Sequence, residues 1–145
     1  MVRAVGFVLL ALWTSGPAQS DRETDDIREA TYREMFRPSS KEDSMFCLSI
    51  YDKDPSDALM ARFVGNSPTV RKGSECEPLE TVPEAGKKPS PVAFATYYVD
   101  RPGDTKAEVL GAYFKNGLNA AESLFYLEKK DGKWTVVKVV QRWIA

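Results

Sequence analysis

The sequence predicts an α+β domain, in which an N-terminal helix and a short second helix pack on a curved antiparallel β-meander. Three observations carry this prediction. The apolar residues of 21–37 recur at helical spacing. Four later runs have the length and composition of strands, and turn residues separate them. Helical segments that precede a block of strands are typical of a helix packed on one antiparallel sheet.

The first twenty residues have the three parts of a secretory signal peptide. Arg3 is the positive start, residues 4–13 are uncharged and apolar, and residues 18–20 place small side chains at the two positions that signal peptidase reads. Ten apolar residues are about half of what a membrane-spanning helix needs. We therefore predict cleavage after Ser20, with Ala18 as the alternative, and export to the periplasm or the cell exterior.

The remaining residues, 21–145, fit one domain with one core. Their charges are interspersed and contain no basic patch, which argues against a nucleic-acid groove. They also lack a second apolar stretch long enough to span a membrane. The chain has no histidine, so Ser-His-Asp and Cys-His catalysis and HExxH zinc sites are excluded. The sequence thus predicts neither a metal nor another cofactor.

The domain is predicted to begin with a helix over residues 21–37, because Ile27, Thr31 and Met35 recur every four residues on one face. Residues 45–51 alternate between apolar and small or polar side chains, which predicts a strand. Asp54 as N-cap and Pro55 as the first helical residue predict the start of a short helix that ends at Gly65. Alternatively the acidic residues Asp52, Asp54 and Asp57 could form a calcium loop, but the glycine and glutamate that such a loop requires are absent.

Residues 66–91 contain five of the nine prolines and predict a long irregular connection, with a short strand at 69–72. The only two cysteines, Cys47 and Cys76, flank this region. In an oxidising compartment a lone pair of cysteines most often forms a disulfide. A two-cysteine metal or redox site is the alternative, although the chain has neither histidine nor a CxxC motif.

Four strands are predicted after this connection, separated by the turn pairs Pro102-Gly103, Asn116-Gly117 and Asp131-Gly132. The strands are predicted at 92–99, 106–115, 120–130 and 133–144. The last strand is apolar on both sides, since strict alternation places Trp134, Val136, Val140 and Ile144 on one face and Val137, Val139 and Trp143 on the other. A half-exposed strand is usually polar on one face. We therefore expect both faces to be covered, with a candidate interface at Trp134, Val137, Val139 and Trp143.

The order of helix, strand, short helix and long meander resembles the cystatin-like architecture, including the nuclear transport factor two-like superfamily. The strings KDPSDALMARF at 53–63, SEC at 74–76 and the closing GKW…WIA are similar to those of uncharacterised secreted bacterial proteins. The resemblance implies a curved sheet around a helix, and the wider superfamily contains both isomerases or dehydratases and non-catalytic binding modules. The QxVxG hairpin of cystatin inhibitors is absent, because the nearest string, QRWIA, lies at 141–145.

Any catalysis would have to use carboxylate, tyrosine or lysine side chains. Glu108 and Glu122 each share a strand face with apolar residues, so a desolvated glutamate beside Tyr97 or Tyr113 could act as a general base. We regard Glu108, Glu122, Tyr97 and Tyr113 as the candidate catalytic residues on this basis. The interpretation that we favour, however, is that these glutamates form cross-strand ion pairs near the sheet edges and that the domain has no catalytic residue.

The sequence favours an exported, non-catalytic domain that binds a protein, a small apolar ligand, or a second copy of itself as a homodimer through the sheet. One alternative is a small lyase or isomerase that uses a Glu–Tyr pair in a pocket between helix and sheet. Another is a periplasmic inhibitor or immunity-type protein. The doubly apolar last strand favours the first of these hypotheses.

Overall fold

The structure is a computed structural model and describes residues 17–39, 45–76, 91–116 and 119–145. One long helix lies across one face of a six-stranded sheet. The elements are α1 Pro17–Phe36, β1 Phe46–Ile50, α2 Asp57–Ala61, β2 Val70–Lys72, β3 Val92–Gly103, β4 Lys106–Asn116, β5 Asn119–Lys130 and β6 Lys133–Ile144. Short 3₁₀ turns at Arg37–Ser39 and Gly73–Glu75 follow α1 and β2. The predicted α+β class is confirmed.

The strands lie in the order β2-β1-β3-β4-β5-β6 across the sheet. The four strands from β3 to β6 pair antiparallel with their neighbours, as the turn residues predicted. Strand β1 pairs parallel with both β2 and β3. The sheet therefore consists of the predicted meander and, beside its first strand, a small parallel extension that the sequence pattern did not indicate.

Helix α1 begins at Pro17, four residues before the predicted start, and a proline is well tolerated in the first turn of a helix. Its buried residues lie on one side and include Ile27, Tyr32 and Phe36. The hydroxyl of Thr31 is also buried and donates a hydrogen bond to the carbonyl of Ile27 at 2.9 Å. The helical face predicted from the sequence is therefore the face that packs on the sheet.

An aromatic cluster fills the space between α1 and the strands β1 and β3. The ring of Phe36 lies 4.6 Å from that of Phe46 and 5.0 Å from that of Phe94, measured between centroids. The hydroxyl of Tyr32 donates to the carbonyl of Ser49 and lies 3.0 Å from the hydroxyl of Thr96. This end of the helix–sheet interface is solidly packed.

Helix α2 begins two residues later than its predicted first residue, Pro55, and the predicted cap was wrong. Its N-cap is Ser56, whose hydroxyl accepts a hydrogen bond from the amide of Leu59 at 3.2 Å. Asp54 instead accepts hydrogen bonds from the amide and the hydroxyl of Ser74. The carboxylate therefore fixes the turn after β2 rather than the start of the helix.

The predicted disulfide is confirmed and joins Cys47 of β1 to Cys76, which directly follows the 3₁₀ turn after β2. The predicted short strand at 69–72 is confirmed as β2, which pairs with β1 in the same region. The disulfide and the strand pairing therefore hold the same edge of the sheet.

Strand β6 departs from strict alternation, and the predicted division of its faces was wrong. Trp134 and Val136 pair with Lys129 and Leu127 of β5, and the register then shifts before Lys138. A residue inserted at such a shift moves every later side chain to the other face. Val139 consequently lies on the α1 side, opposite Phe125, whereas Lys138 and Val140 lie on the far side.

The turn between β5 and β6 has the backbone that its sequence predicts. Asp131 and Gly132 have positive φ angles of 51° and 76°, as a two-residue hairpin turn with this sequence requires. The predicted signal peptide up to residue 16, the predicted turn beyond Asn116 and the predicted connection over 77–90 lie outside the described residues. Within the described ranges, no helix combines the length and the apolar composition that crossing a membrane would need.

Candidate functional site

A cavity of about 520 Å³ lies between the C-terminal end of α1 and the sheet. We call it the helix–sheet cavity. It is lined by Glu34, Met35, Pro38, Ser39, Tyr113, Lys115, Asn119, Ser123, Phe125 and Val139. The interface between α1 and the sheet is therefore packed over β1 and β3 and hollow over the ends of β4, β5 and β6.

The cavity exists because α1 ends while the sheet continues. Met35 and Phe125 are buried and form the apolar floor. At Gly111, between them, a Cβ atom would lie 3.0 Å from the Phe125 ring and 3.2 Å from the Met35 sulfur, so helix and sheet are in close contact there. Helix α1 is followed by the 3₁₀ turn that contains Pro38, and no other helix of the described residues packs on β4, β5 or β6 beyond this point.

Polar groups surround this apolar floor. The hydroxyl of Tyr113 donates a hydrogen bond to the side-chain carbonyl of Asn119 at 3.2 Å. The carboxylate of Glu34 forms an ion pair with Arg37 at 3.0 Å. Lys115 and Ser123 complete the polar part of the lining. An apolar floor with a few polar groups around it is the usual composition of a site for a small organic ligand.

The structure separates the four candidate catalytic residues between the two faces of the sheet. Tyr113 lines the helix–sheet cavity, whereas Glu108 and Glu122 do not belong to its lining. Both glutamates lie on what we call the open face, the side of the sheet opposite α1, because Glu122 follows the pleat of Leu124 and not that of Phe125. Tyr97 is the candidate tyrosine whose pKa is affected by the negative charge of Glu122.

Tyr97 and Glu122 interact across the open face. Burial raises the pKa of the Tyr97 phenol, and the negative charges of Glu122 and Asp52 raise it further. Its ring also meets the ring of Tyr51 edge-on, with 5.7 Å between the centroids. The environment of Tyr97 therefore favours the neutral phenol, which donates a hydrogen bond, over the phenolate that a tyrosine base requires.

The four residues of the predicted interface have different exposures. Trp134 is only 4% exposed, while Val137, Val139 and Trp143 are 51%, 46% and 41% exposed. The Trp134 ring lies under the guanidinium of Arg101, at 5.5 Å, and near the ammonium of Lys129, at 5.9 Å. The first part of β6 is therefore covered, and the exposed part begins at Val137.

One carboxylate fixes the two cations that cover Trp134. Glu23 of α1 lies 2.9 Å from the ammonium of Lys129 and 3.2 Å from the guanidinium of Arg101. The hydrogen bond from Lys129 and the charges of both cations lower the pKa of Glu23, against an opposing effect of burial. Helix α1 is thus attached to β3 and β5 by an ion-pair cluster that covers Trp134 of β6.

The acidic residues around α2 have partners within the fold. Asp57 pairs with the ammonium of Lys72 at 2.6 Å, and this interaction lowers the pKa of the Asp57 carboxyl. Asp54 accepts its hydrogen bonds from Ser74. Among the described residues, no group of three or more His, Cys, Asp or Glu side chains is arranged to hold a metal ion.

Sequence reasoning identified Tyr113 and Val139 but missed most of the cavity lining. Glu34, Lys115 and Asn119 gave no signal, because polar residues at the ends of elements are common on every surface. Ser123 did carry a signal, since it is a small polar residue on the same strand face as Phe125 and Leu127. A small side chain among large apolar ones indicates unfilled space above that position.

No protein-family model, curated protein or solved structure matches this chain in the comparisons with known proteins.

Proposed function

We propose that this chain is an exported, non-catalytic binding domain, and that its ligand is a small amphipathic molecule held in the helix–sheet cavity. The observation that carries the proposal is the hollow end of an otherwise packed helix–sheet interface. The resemblance to cystatin-like and nuclear transport factor two-like domains forms part of this proposal. The order of the elements and the antiparallel pairing of the meander support it.

The size of the cavity suits a ligand with one or two rings or a short branched chain. Its volume of about 520 Å³ falls within the range of roughly 300–1,000 Å³ that is usual for small-molecule sites. Met35 and Phe125 offer an apolar floor, and Val139 continues it toward β6. Burial of the ligand's apolar part against these side chains would supply most of the binding energy.

The polar lining favours a ligand whose head group is an anion or a hydroxyl. Lys115 provides a positive charge, and the hydroxyls of Tyr113 and Ser123 can each donate or accept a hydrogen bond. Glu34 is the one carboxylate among the described residues of the lining, and it forms an ion pair with Arg37. The positive charge of Lys115 would attract a carboxylate or sulfonate head group to this end of the cavity.

The lyase or isomerase alternative stays a prediction. It requires a glutamate and a tyrosine together in the space between helix and sheet. Tyr113 shares that space with Glu34, and the pair Tyr97 and Glu122 lies on the open face instead. The inhibitor or immunity-type alternative is likewise a prediction, and no contact among the described residues favours it over ligand binding.

A fluorescence titration with anilinonaphthalene sulfonate tests the binding site, because this probe combines aromatic rings with an anionic head. We expect saturable, one-to-one binding to the purified protein. Replacing Ser123 by Phe would fill the cavity and should weaken binding by at least about tenfold, which corresponds to roughly 1.4 kcal/mol. Replacing Tyr113 by Phe should weaken it less, because only one polar contact is lost.

The substitution Leu124→Phe is the matched control, since Leu124 is the next residue of β5 and lies on the open face. It should leave the affinity for the probe unchanged, and thermal unfolding should show that both variants are folded. Equal affinities of Ser123→Phe and the unaltered protein would contradict the proposed site, as would binding that does not saturate.

A further inference from the structure

The outer side of β6 is a long sheet edge that no described strand covers. The strand is twelve residues long, contains neither proline nor glycine, and forms the last position in the strand order. Its exposed apolar residues, with their exposed fractions, are Val137 at 51%, Val139 at 46%, Val140 at 40%, Trp143 at 41% and Ile144 at 67%. Soluble proteins usually cover, shorten or charge such an edge, because its unpaired backbone groups accept any further strand.

The opposite edge of the same sheet is built in a way that prevents pairing. Strand β2 has three residues, and two of them are the cations Arg71 and Lys72. The chain turns away immediately afterwards at Gly73–Glu75, and Cys76 is tied to β1. A strand of this length and charge cannot match the twelve residues of β6. Head-to-tail addition of one sheet to the next is therefore disfavoured.

We propose that β6 pairs antiparallel with the β6 of a second copy of this chain. Since, in the described part of the chain, β6 is the one sheet edge that can accept a long strand, the pairing uses the same surface on both copies. Such an interface is closed by a two-fold axis and produces a dimer rather than a filament. The two six-stranded sheets then form one continuous sheet.

The charges of β6 are compatible with this arrangement when the axis passes through Val139. Lys138 then faces Val140 of the partner subunit, so the two Lys138 ammonium groups are not directly opposite. The ammonium of Lys138 is moreover held over its own Tyr126 ring, at 5.5 Å from the centroid. Like charges placed opposite one another would destabilise a strand pair, and this register avoids them.

The edge is long enough to hold two copies together. Twelve residues at about 3.4 Å each extend over roughly 40 Å. A ladder of this length provides on the order of ten hydrogen bonds, which is the number found in a typical protein–protein interface. At the axis, the Val139 side chains of the two copies lie opposite one another and add an apolar contact to the ladder.

Introducing a charge at the axis tests the proposal. Sedimentation velocity should give a dimer for the unaltered protein and a monomer for both Val139→Glu and Val139→Lys at the same concentration, because each variant places two like charges opposite one another. An equimolar mixture of the two variants should recover the dimer, since the opposite charges then meet across the axis. Only pairing of β6 with itself through Val139 predicts this recovery.

The substitution Arg71→Glu on the other edge is the control and should leave the dimer unchanged, and circular dichroism should show that all variants are folded. A monomeric unaltered protein would overturn the proposal. Dimers of Val139→Glu or Val139→Lys alone, monomers in the mixture, or loss of the dimer in Arg71→Glu would also overturn it. Larger polymers of the unaltered protein would show open-ended association and contradict the closed pair.

Discussion

The two ends of the sheet differ in length, charge and packing, although they belong to one domain. At one end β1 and β2 are short, and a disulfide joins β1 to Cys76, which follows the turn after β2. The aromatic cluster of Phe36, Phe46 and Phe94 lies at this end. At the other end β6 is twelve residues long, and the cavity lies beneath it. The first end carries features that stabilise a fold, whereas the second carries the cavity and the uncovered edge on which the two proposals rest. We call the end that contains β1 and β2 the closed end, and the other the β6 end. We expect substitutions at the closed end to lower the free energy of unfolding, and substitutions at the β6 end to change ligand binding or dimerisation.

The largest effect on stability should come from the disulfide at the closed end. Replacing both Cys47 and Cys76 by Ser should lower the free energy of unfolding by about 3–4 kcal/mol, because a loop of 29 residues is no longer closed in the unfolded chain. Urea unfolding measures this difference. The oligomeric state of the folded protein should not change. A loss of the dimer in this double variant would contradict the division of roles between the two ends.

A smaller effect is expected at Tyr32, which attaches α1 to β1 and β3. The substitution Tyr32→Phe removes the hydrogen bonds to Ser49 and Thr96 and should cost about 1–2 kcal/mol, as measured by urea unfolding at neutral pH. Binding of the fluorescent probe should be unaffected, because Tyr32 lies outside the cavity lining. Weaker probe binding in this variant would show that the two ends are not independent.

Tyr32 also predicts a dependence on alkaline pH. Burial raises its pKa to about 12 from the usual 10.0, so the folded state holds the phenolic proton more tightly than the unfolded state. The resulting stabilisation is complete below pH 10 and is lost as the pH rises from there toward 12. Stability measured above pH 10 should therefore fall more steeply for the unaltered protein than for Tyr32→Phe.

The smallest effect should be found at Glu23, which joins α1 to β3 and β5 beside the start of β6. Because Lys129 and Arg101 lower the pKa of Glu23, its contribution is present above the usual value of 4.5 and is lost as the pH falls through the lowered pKa. Glu23→Gln should cost at most about 1 kcal/mol at neutral pH, since the ion pairs are partly exposed. The difference in melting temperature between variant and unaltered protein should vanish in acid. A difference that persisted there would assign the effect to packing instead of charge.

The meander could be predicted from the sequence because its information is local. Paired turn residues mark the ends of the strands, and β6 was predicted at 133–144 with the bounds that the structure has. Helix α1 was recognised from its apolar face, and its start was missed by four residues because Pro17 to Ser20 looked like the end of the signal peptide. The disulfide followed from the number of cysteines and the predicted compartment.

The site could be predicted only in part, because it depends on contacts between distant residues. The parallel pairing of β1 with β3 joins strands more than forty residues apart, and no local pattern specifies it. The register shifts in β6 moved Val139 to the α1 side, where strict alternation had grouped it with Trp143. The cavity itself arises where α1 ends relative to β4 and β5, which is a property of the assembled fold.

Val139 belongs both to the wall of the cavity and to the axis of the proposed dimer. If both proposals hold, a ligand that contacts this side chain also affects pairing with the partner subunit. The ligand-binding and dimerisation equilibria are then linked. The factor by which the ligand changes the dimer's dissociation constant must then equal the factor by which dimerisation changes the affinity for the ligand. One valine on an edge strand would thus make the fraction of cavities that hold ligand depend on the concentration of the protein.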